Sequence, residues 1–116
     1  MGEDIKDQRK KDLMAVHDTM DVLNGKWKIS IISSICYYNK RRFTNILNDI
    51  PGISNKMLSK ELKQLEQDLL IKRMVLDTQP ITVEYQLTEY GLTLQNIIKS
   101  LCDWGKGHRK VITAKK

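Results

Sequence analysis

The sequence has little of what builds disulfide frameworks, metal centres or linkers. Its two cysteines, Cys36 and Cys102, make no disulfide scaffold, so the chain reads as cytoplasmic with reduced thiols. Its two histidines, His17 and His108, lie far apart, and no Cys/His cluster has metal-ligand spacing. There are two prolines and no tract rich in Pro, Gly or Ser, so no linker divides the chain. No repeat or low-complexity segment is present. No apolar run approaches the roughly 18 residues that cross a bilayer. Met1 to Asp12 is charged without an apolar centre, which is not a signal peptide. No phosphate-binding glycine loop, dinucleotide turn or nucleophile–base set is found. Neither an enzyme nor a cofactor or metal site is expected.

Acidic residues are scarce in one place. Gly25 to Lys63 holds eight basic residues: Lys26, Lys28, Lys40, Arg41, Arg42, Lys56, Lys60 and Lys63. Only Asp49 and Glu61 oppose them, so this segment carries the whole formal net charge of +6. A localised positive field points to a polyanionic partner, or to a merely solvated face. How the charges are displayed decides between the two.

Length fits one domain of 116 residues. Residues 1–12 read as a flexible lead-in, 13–110 as the folded domain and 111–116 as a basic tail. Leu13, Val16, Met20 and Leu23 recur at helical spacing, and Asn24-Gly25 ends that helix. A second helix is predicted over 26–37, with Trp27, Ile31, Ile32 and Ile35 inward. Thr44 is the expected cap of a short helix over 45–49, which Pro51-Gly52 breaks. Ser54 caps a longer helix over about 55–68. Strands follow at Leu70 to Leu76 and Thr82 to Leu87, and then a helix over about 89–110. A hairpin directly after a helix-turn-helix is a wing. The fold class is α+β, mostly α: a winged helix-turn-helix with a two-stranded wing.

At 100° per residue, Leu58, Leu62, Leu65 and Leu69 share an arc of about 60°. Asn55, Lys56, Ser59, Lys60 and Lys63 share a neighbouring arc of about 140° without apolar residues. Glu66 and Gln67 make that face less basic toward its C-terminal end. Asn pairs with adenine, Lys with guanine or phosphate, and Ser with either. Arg41 and Arg42 are placed to grip phosphate, the competing role for Arg42 being an internal salt bridge. Lys72 and Arg73 either assist or face solvent.

Collinear stretches carry a family resemblance. They are Met20 to Lys28 (MDVLNGKWK), Arg42 to Leu47 (RFTNIL), Pro51 to Leu58 (PGISNKML) and Leu62 to Glu66 (LKQLE). Val83 to Thr88 (VEYQLT), Tyr90-Gly91 and Leu101 to Gly105 (LCDWG) complete the set. Over about Leu13 to His108 the chain resembles the HxlR-type winged-helix regulators of bacteria. The resemblance implies a homodimer joined by the first and last helices, bound to double-stranded DNA at an inverted-repeat operator. By position, Ser54, Asn55, Lys56, Ser59 and Lys60 would face DNA. Leu13, Val16, Met20, Ile97, Leu101 and Trp104 would form the dimer interface, and Trp27, Phe43, Tyr85 and Trp104 are core or interface residues.

Three departures from the family stand out. Met14 occupies the position of a reactive cysteine found in many members, which leaves the effector unknown. Leu69 stands where glycine often follows the recognition helix. Asn39-Lys40 replaces a Gly-Pro pair. Cys36 is expected as an inert core residue, and Cys102 as either packed or a redox site near Lys99, Lys106 and Arg109. The expected function is a sequence-specific regulator, with repression as the default. A protein–protein adaptor and a regulator released from DNA by a small molecule are the alternatives.

Overall fold

The computed structural model describes residues 2–114. In chain order it contains α1 (Gly2–Val22), α2 (Lys28–Tyr38), β1 (Lys40–Arg42), α3 (Phe43–Asp49) and α4 (Asn55–Gln67). β2 (Ile71–Leu76), β3 (Thr82–Leu87), α5 (Glu89–Leu92) and α6 (Gln95–Ala114) complete it. Ile31, Ile32 and Ile35 of α2 are fully buried at the centre, with Ile46 of α3 and Leu58, Leu62 and Leu65 of α4 packed in the same core. Burying each such side chain contributes roughly 1.5–3 kcal/mol. No helix among the described residues is long and apolar enough to cross a membrane.

The expected elements are present, with four differences. The first helix begins at Gly2 rather than near Leu13, so the segment read as a flexible lead-in is helical from its second residue. The polar residues there carry helical spacing no less than apolar ones, but without a hydrophobic stripe the pattern is invisible. Residues 111–114 of the expected tail continue α6, and 115–116 lie outside the described residues. The wing gains a third strand: β1 pairs antiparallel with β3, which pairs with β2, in the order β1-β3-β2.

The fourth difference concerns helix ends. Thr44 lies inside α3; the cap is Arg42, whose backbone N–H donates to Asn45 Oδ1 at 3.3 Å. The last helix is interrupted at Thr93-Leu94. There the backbone N–H groups turn to carbonyls three residues back, Thr93 to Tyr90 O and Leu94 to Gly91 O, both at 3.1 Å. Regular bonding resumes with Ile98 to Leu94 O at 2.9 Å.

Backbone contacts join the end of α4 to α5. Leu69 N–H donates to Glu66 O and Leu70 N–H to Leu65 O, each at 3.0 Å, the paired bonds of a Schellman motif. Buried Leu65 and Leu70 supply its hydrophobic contact. Thr88 Oγ1 donates to Leu69 O at 2.6 Å and accepts from Gly91 N at 2.9 Å. A Cβ on Gly91 would lie 2.0 Å from Leu70 O, so only glycine allows this approach.

Among the described residues, Asn39 (φ 70°) and Leu69 (φ 63°) are the non-glycine residues with positive φ. These are the two places where the resemblance leads one to expect glycine. Asn39 pairs its positive φ with a ψ of −46°, outside the left-handed helical region, whereas Leu69 closes the Schellman motif where a left-handed residue is required. The left-handed conformation costs an L-residue roughly 1–2 kcal/mol, and glycine returns roughly 0.5–1 kcal/mol of that through chain entropy. The Leu69 side chain is 69% exposed, so little burial offsets the strain. Leu69→Gly is therefore expected to raise Tm by roughly 2–4 °C in a thermal melt; a lower Tm would show that the leucine side chain stabilises the joint.

Candidate nucleic-acid interface

Ser54 opens α4 in extended conformation, and its Oγ accepts from Met57 N at 3.0 Å. That bond orients the first turn and leaves the hydroxyl proton free to donate. The buried residues of the helix are Leu58, Leu62 and Leu65. Ser54, Asn55, Lys56, Ser59, Lys60 and Lys63 are all exposed, beside the buried leucine stripe. This is the division that the 100° spacing predicts. The positive end of the helix dipole lies at the same turns and adds to the field of the lysines.

The charge of the segment resolves into pairs and free cations. Lys28 Nζ lies 2.8 Å from Glu61 Oε2, and Arg41 Nη2 lies 2.6 Å from Asp49 Oδ2. The two carboxylates of the segment are thus both taken up internally. The six remaining cations are Lys26, Lys40, Arg42, Lys56, Lys60 and Lys63. All are exposed, and none has a carboxylate within ion-pair distance among the described residues. These six exposed cations carry the segment's net +6 to solvent, while Asp49, though exposed, is paired with Arg41.

Arg41 and Arg42 part company. In β1 the exposure alternates, with Lys40 and Arg42 exposed and Arg41 half-buried. Arg41 donates from both Nε (3.1 Å) and Nη2 to the Asp49 carboxylate, and its guanidinium lies 3.5 Å from the centroid of Tyr38. Its charge is therefore held within the domain, contrary to the phosphate-gripping role expected from sequence. The internal salt bridge weighed for Arg42 belongs to Arg41. Lys40, which the sequence reading passed over, shares the outer face with Arg42. The missed signal is the period-2 alternation of a strand, illegible in three residues. Lys72 and Arg73 on β2 are both exposed.

A second set of residues lies apart from this face. In α1, Leu13, Val16 and Met20 are 62%, 58% and 55% exposed. In α6 no residue is buried, and Ile97, Leu101 and Trp104 stand open to solvent. Trp104 stacks on His108 with ring centroids 5.0 Å apart. The Cα radius of gyration is 17.5 Å, against about 13 Å for a compact chain of this length. The two long helices thus carry unpartnered apolar faces. Cys102 is exposed rather than packed. Cys36, expected in the core, is half-buried and lines a groove of about 650 Å³ between α2 and α6 together with Ile29, Tyr37, Ile98, Leu101 and Cys102. Among the described residues no group of His, Cys, Asp or Glu is placed to hold a metal.

A family model described as HxlR-like helix-turn-helix matches residues 22–113. The chain belongs to that family. Among curated relatives, the HTH-type transcriptional regulator YtcD of Bacillus subtilis (strain 168) is 39% identical over 101 residues, covering 87% of this chain and 79% of the relative. The HTH-type transcriptional regulator YodB of the same organism is 35% identical over 89 residues, covering 77% and 79%. Among solved structures, the redox regulator HypR in its reduced form superposes with a TM-score of 0.74 at 36% identity, covering 86% of this chain and 98% of that one. The HxlR-like membership makes the chain a DNA-binding helix-turn-helix transcriptional regulator, not an enzyme. It also accounts for the winged-helix fold with its helix-flanked small sheet.

The Asp49 carboxyl sits at the centre of the internal network. The Ser34 hydroxyl donates to it at 2.7 Å and, with Arg41, holds its pKa below the ordinary carboxylate range, outweighing the opposing effect of desolvation. A depressed folded-state pKa contributes stability above the unfolded value, and that contribution is lost as pH falls through the folded one. Side-chain carboxyl NMR titration should place the Asp49 midpoint below that of an unfolded-chain aspartate. Ser34→Ala should move the midpoint upward; an unmoved midpoint would remove Ser34 from the network.

Proposed function

We propose that this regulator binds an inverted-repeat operator sequence-specifically as a homodimer in the cytoplasm, and represses by occluding the promoter. The carrying observation is the exposed face of α4, where Asn55, Lys56, Ser59, Lys60 and Lys63 stand together and Glu66 enters only toward the C-terminal end. A major groove admits one such helix, and the N-terminal turns of a recognition helix are those that reach base edges. In this reading Asn55 and Ser59 read bases, the lysines contact phosphate or guanine, and Lys40 and Arg42 hold the flanking backbone.

The open apolar faces of α1 and α6 support the dimer. Contiguous exposed apolar surface of this kind marks an interaction surface. Two copies joined there would present their α4 helices to half-sites about 34 Å apart, or a multiple of that distance.

In a fluorescence-anisotropy titration against the DNA upstream of its own gene, affinity should fall steeply with salt. Lys56→Ala with Lys60→Ala should lower the slope of log K against log salt by about 2. Unchanged affinity and slope would remove these lysines from the interface, and binding indifferent to sequence and salt would overturn the reading. In sedimentation, the wild type should run as a dimer and Leu101→Glu with Trp104→Glu as a monomer. A dimeric double variant would exclude α6 as the seam.

A further inference from the structure

Three side chains meet where the end of α1, the start of α2 and the middle of α4 converge. Lys28, the first residue of α2, is only 8% exposed. Its Nζ donates to Asn24 Oδ1 at 3.1 Å and lies 2.8 Å from Glu61 Oε2. Asn24 sits in the turn after α1, next to Leu23, which anchors that end in the core. Glu61 lies on α4 between buried Leu58 and Leu62 in sequence, and both charged side chains are nearly out of solvent, at 10% and 14% exposure. The neighbouring Trp27 reaches the turn between α3 and α4, its Cη2 lying 4.0 Å from where a Cβ on Gly52 would stand. One short turn, residues 24–28, therefore touches α4 at mid-length and the turn that precedes it.

Net stability does not call for an ion pair at this place. Removing two charges from water costs several kcal/mol per ion, and apolar residues of similar volume often do as well or better. What the cluster adds is a fixed polar contact: the Lys28 ammonium donates to Asn24 Oδ1 and is the sole counter-charge to Glu61 Oε2, which is buried and otherwise without a hydrogen-bond partner among the described residues. The buried residues of α4 are Leu58, Leu62 and Leu65, and apolar burial is non-directional. A buried polar partner admits one register, and setting register is the best-attested use of such groups.

We propose that Lys28 is a positioning residue for DNA recognition. By bridging Asn24 and Glu61 it fixes the rotation and depth of α4 relative to the end of α1, and so sets the half-site spacing that the dimer reads. Lys28 itself does not touch DNA. The inference rests on the homodimeric DNA-binding reading above.

The test uses the full chain. An operator is first selected from a random DNA library with the wild type, then rebuilt with half-sites one and two base pairs closer or farther apart. Wild type and Lys28→Met/Glu61→Met are titrated against this panel and against unrelated duplex. In the double variant, Tm, affinity for unrelated duplex and salt slope should stay as in the wild type, while the preference for the best spacing falls about tenfold, an amount comparable to one mismatched base pair. If the double variant fails to fold, Asn24→Ala decides, because it leaves the ion pair intact and cuts the tie to α1. Asn24→Ala should weaken the spacing preference in the same direction. Spacing preference unchanged from the wild type, in the double variant or in a folded Asn24→Ala, would overturn the proposal. A wild type that selects no operator would instead overturn the DNA-binding reading beneath it.

Discussion

The contact between the isoleucines of α2 and the leucines of α4 governs the rest of the domain. Ile31, Ile32 and Ile35 are wholly inaccessible, as are Leu58 and Leu65, and they belong to one cluster with Ile46, Leu70 and Ile71. Because those leucines are buried on one side, the polar residues between them have only one direction left. The DNA-facing side of α4 is thus a by-product of its packing: burying Leu58, Leu62 and Leu65 exposes Asn55, Ser59 and Lys63. The same core receives Ile71, Tyr85 and Leu87 from the sheet, which sets the wing beside the recognition helix.

Charge is organised by a second rule, pairing inside and isolation outside. Asp49 and Glu61 are the acids that would spoil a phosphate-binding surface. Each is held by one cation of the same segment, Arg41 for the exposed Asp49 and Lys28 for the half-buried Glu61. Exposed pairs contribute little to stability, and nearly buried ones repay their desolvation only with good geometry. The arrangement is better understood through the field it leaves than through the energy it adds. Counting residues in a sequence yields the same net charge, but not which cations are spent.

Much of this was legible in the sequence because it is written in period. The leucine spacing of α4, its Ser54 cap and the alternation of Thr82 to Leu87 each repeat often enough to be read. What failed was short or depended on distant partners. Three residues of β1 cannot display an alternation, so Arg41 and Arg42 looked equivalent. Their separation comes from β3, more than forty positions later, and from Asp49. The break in the last helix is likewise set at a distance, since Gly91 is pressed against Leu70 and Thr88 is tied to the same carbonyls. The helical lead-in of α1 escaped notice for want of apolar residues, not of helix-forming ones.

The glycine contact at Leu70 has a mechanical consequence. It joins backbone to backbone, and Leu70 is also the residue that closes the C-terminal end of α4. The recognition helix and α5 therefore meet through backbone, and the break at Thr93-Leu94 stands between that joint and the twenty-residue α6. The joint fixes where the last helical segment starts relative to the end of α4, while the direction α6 takes is set after it, at Thr93-Leu94.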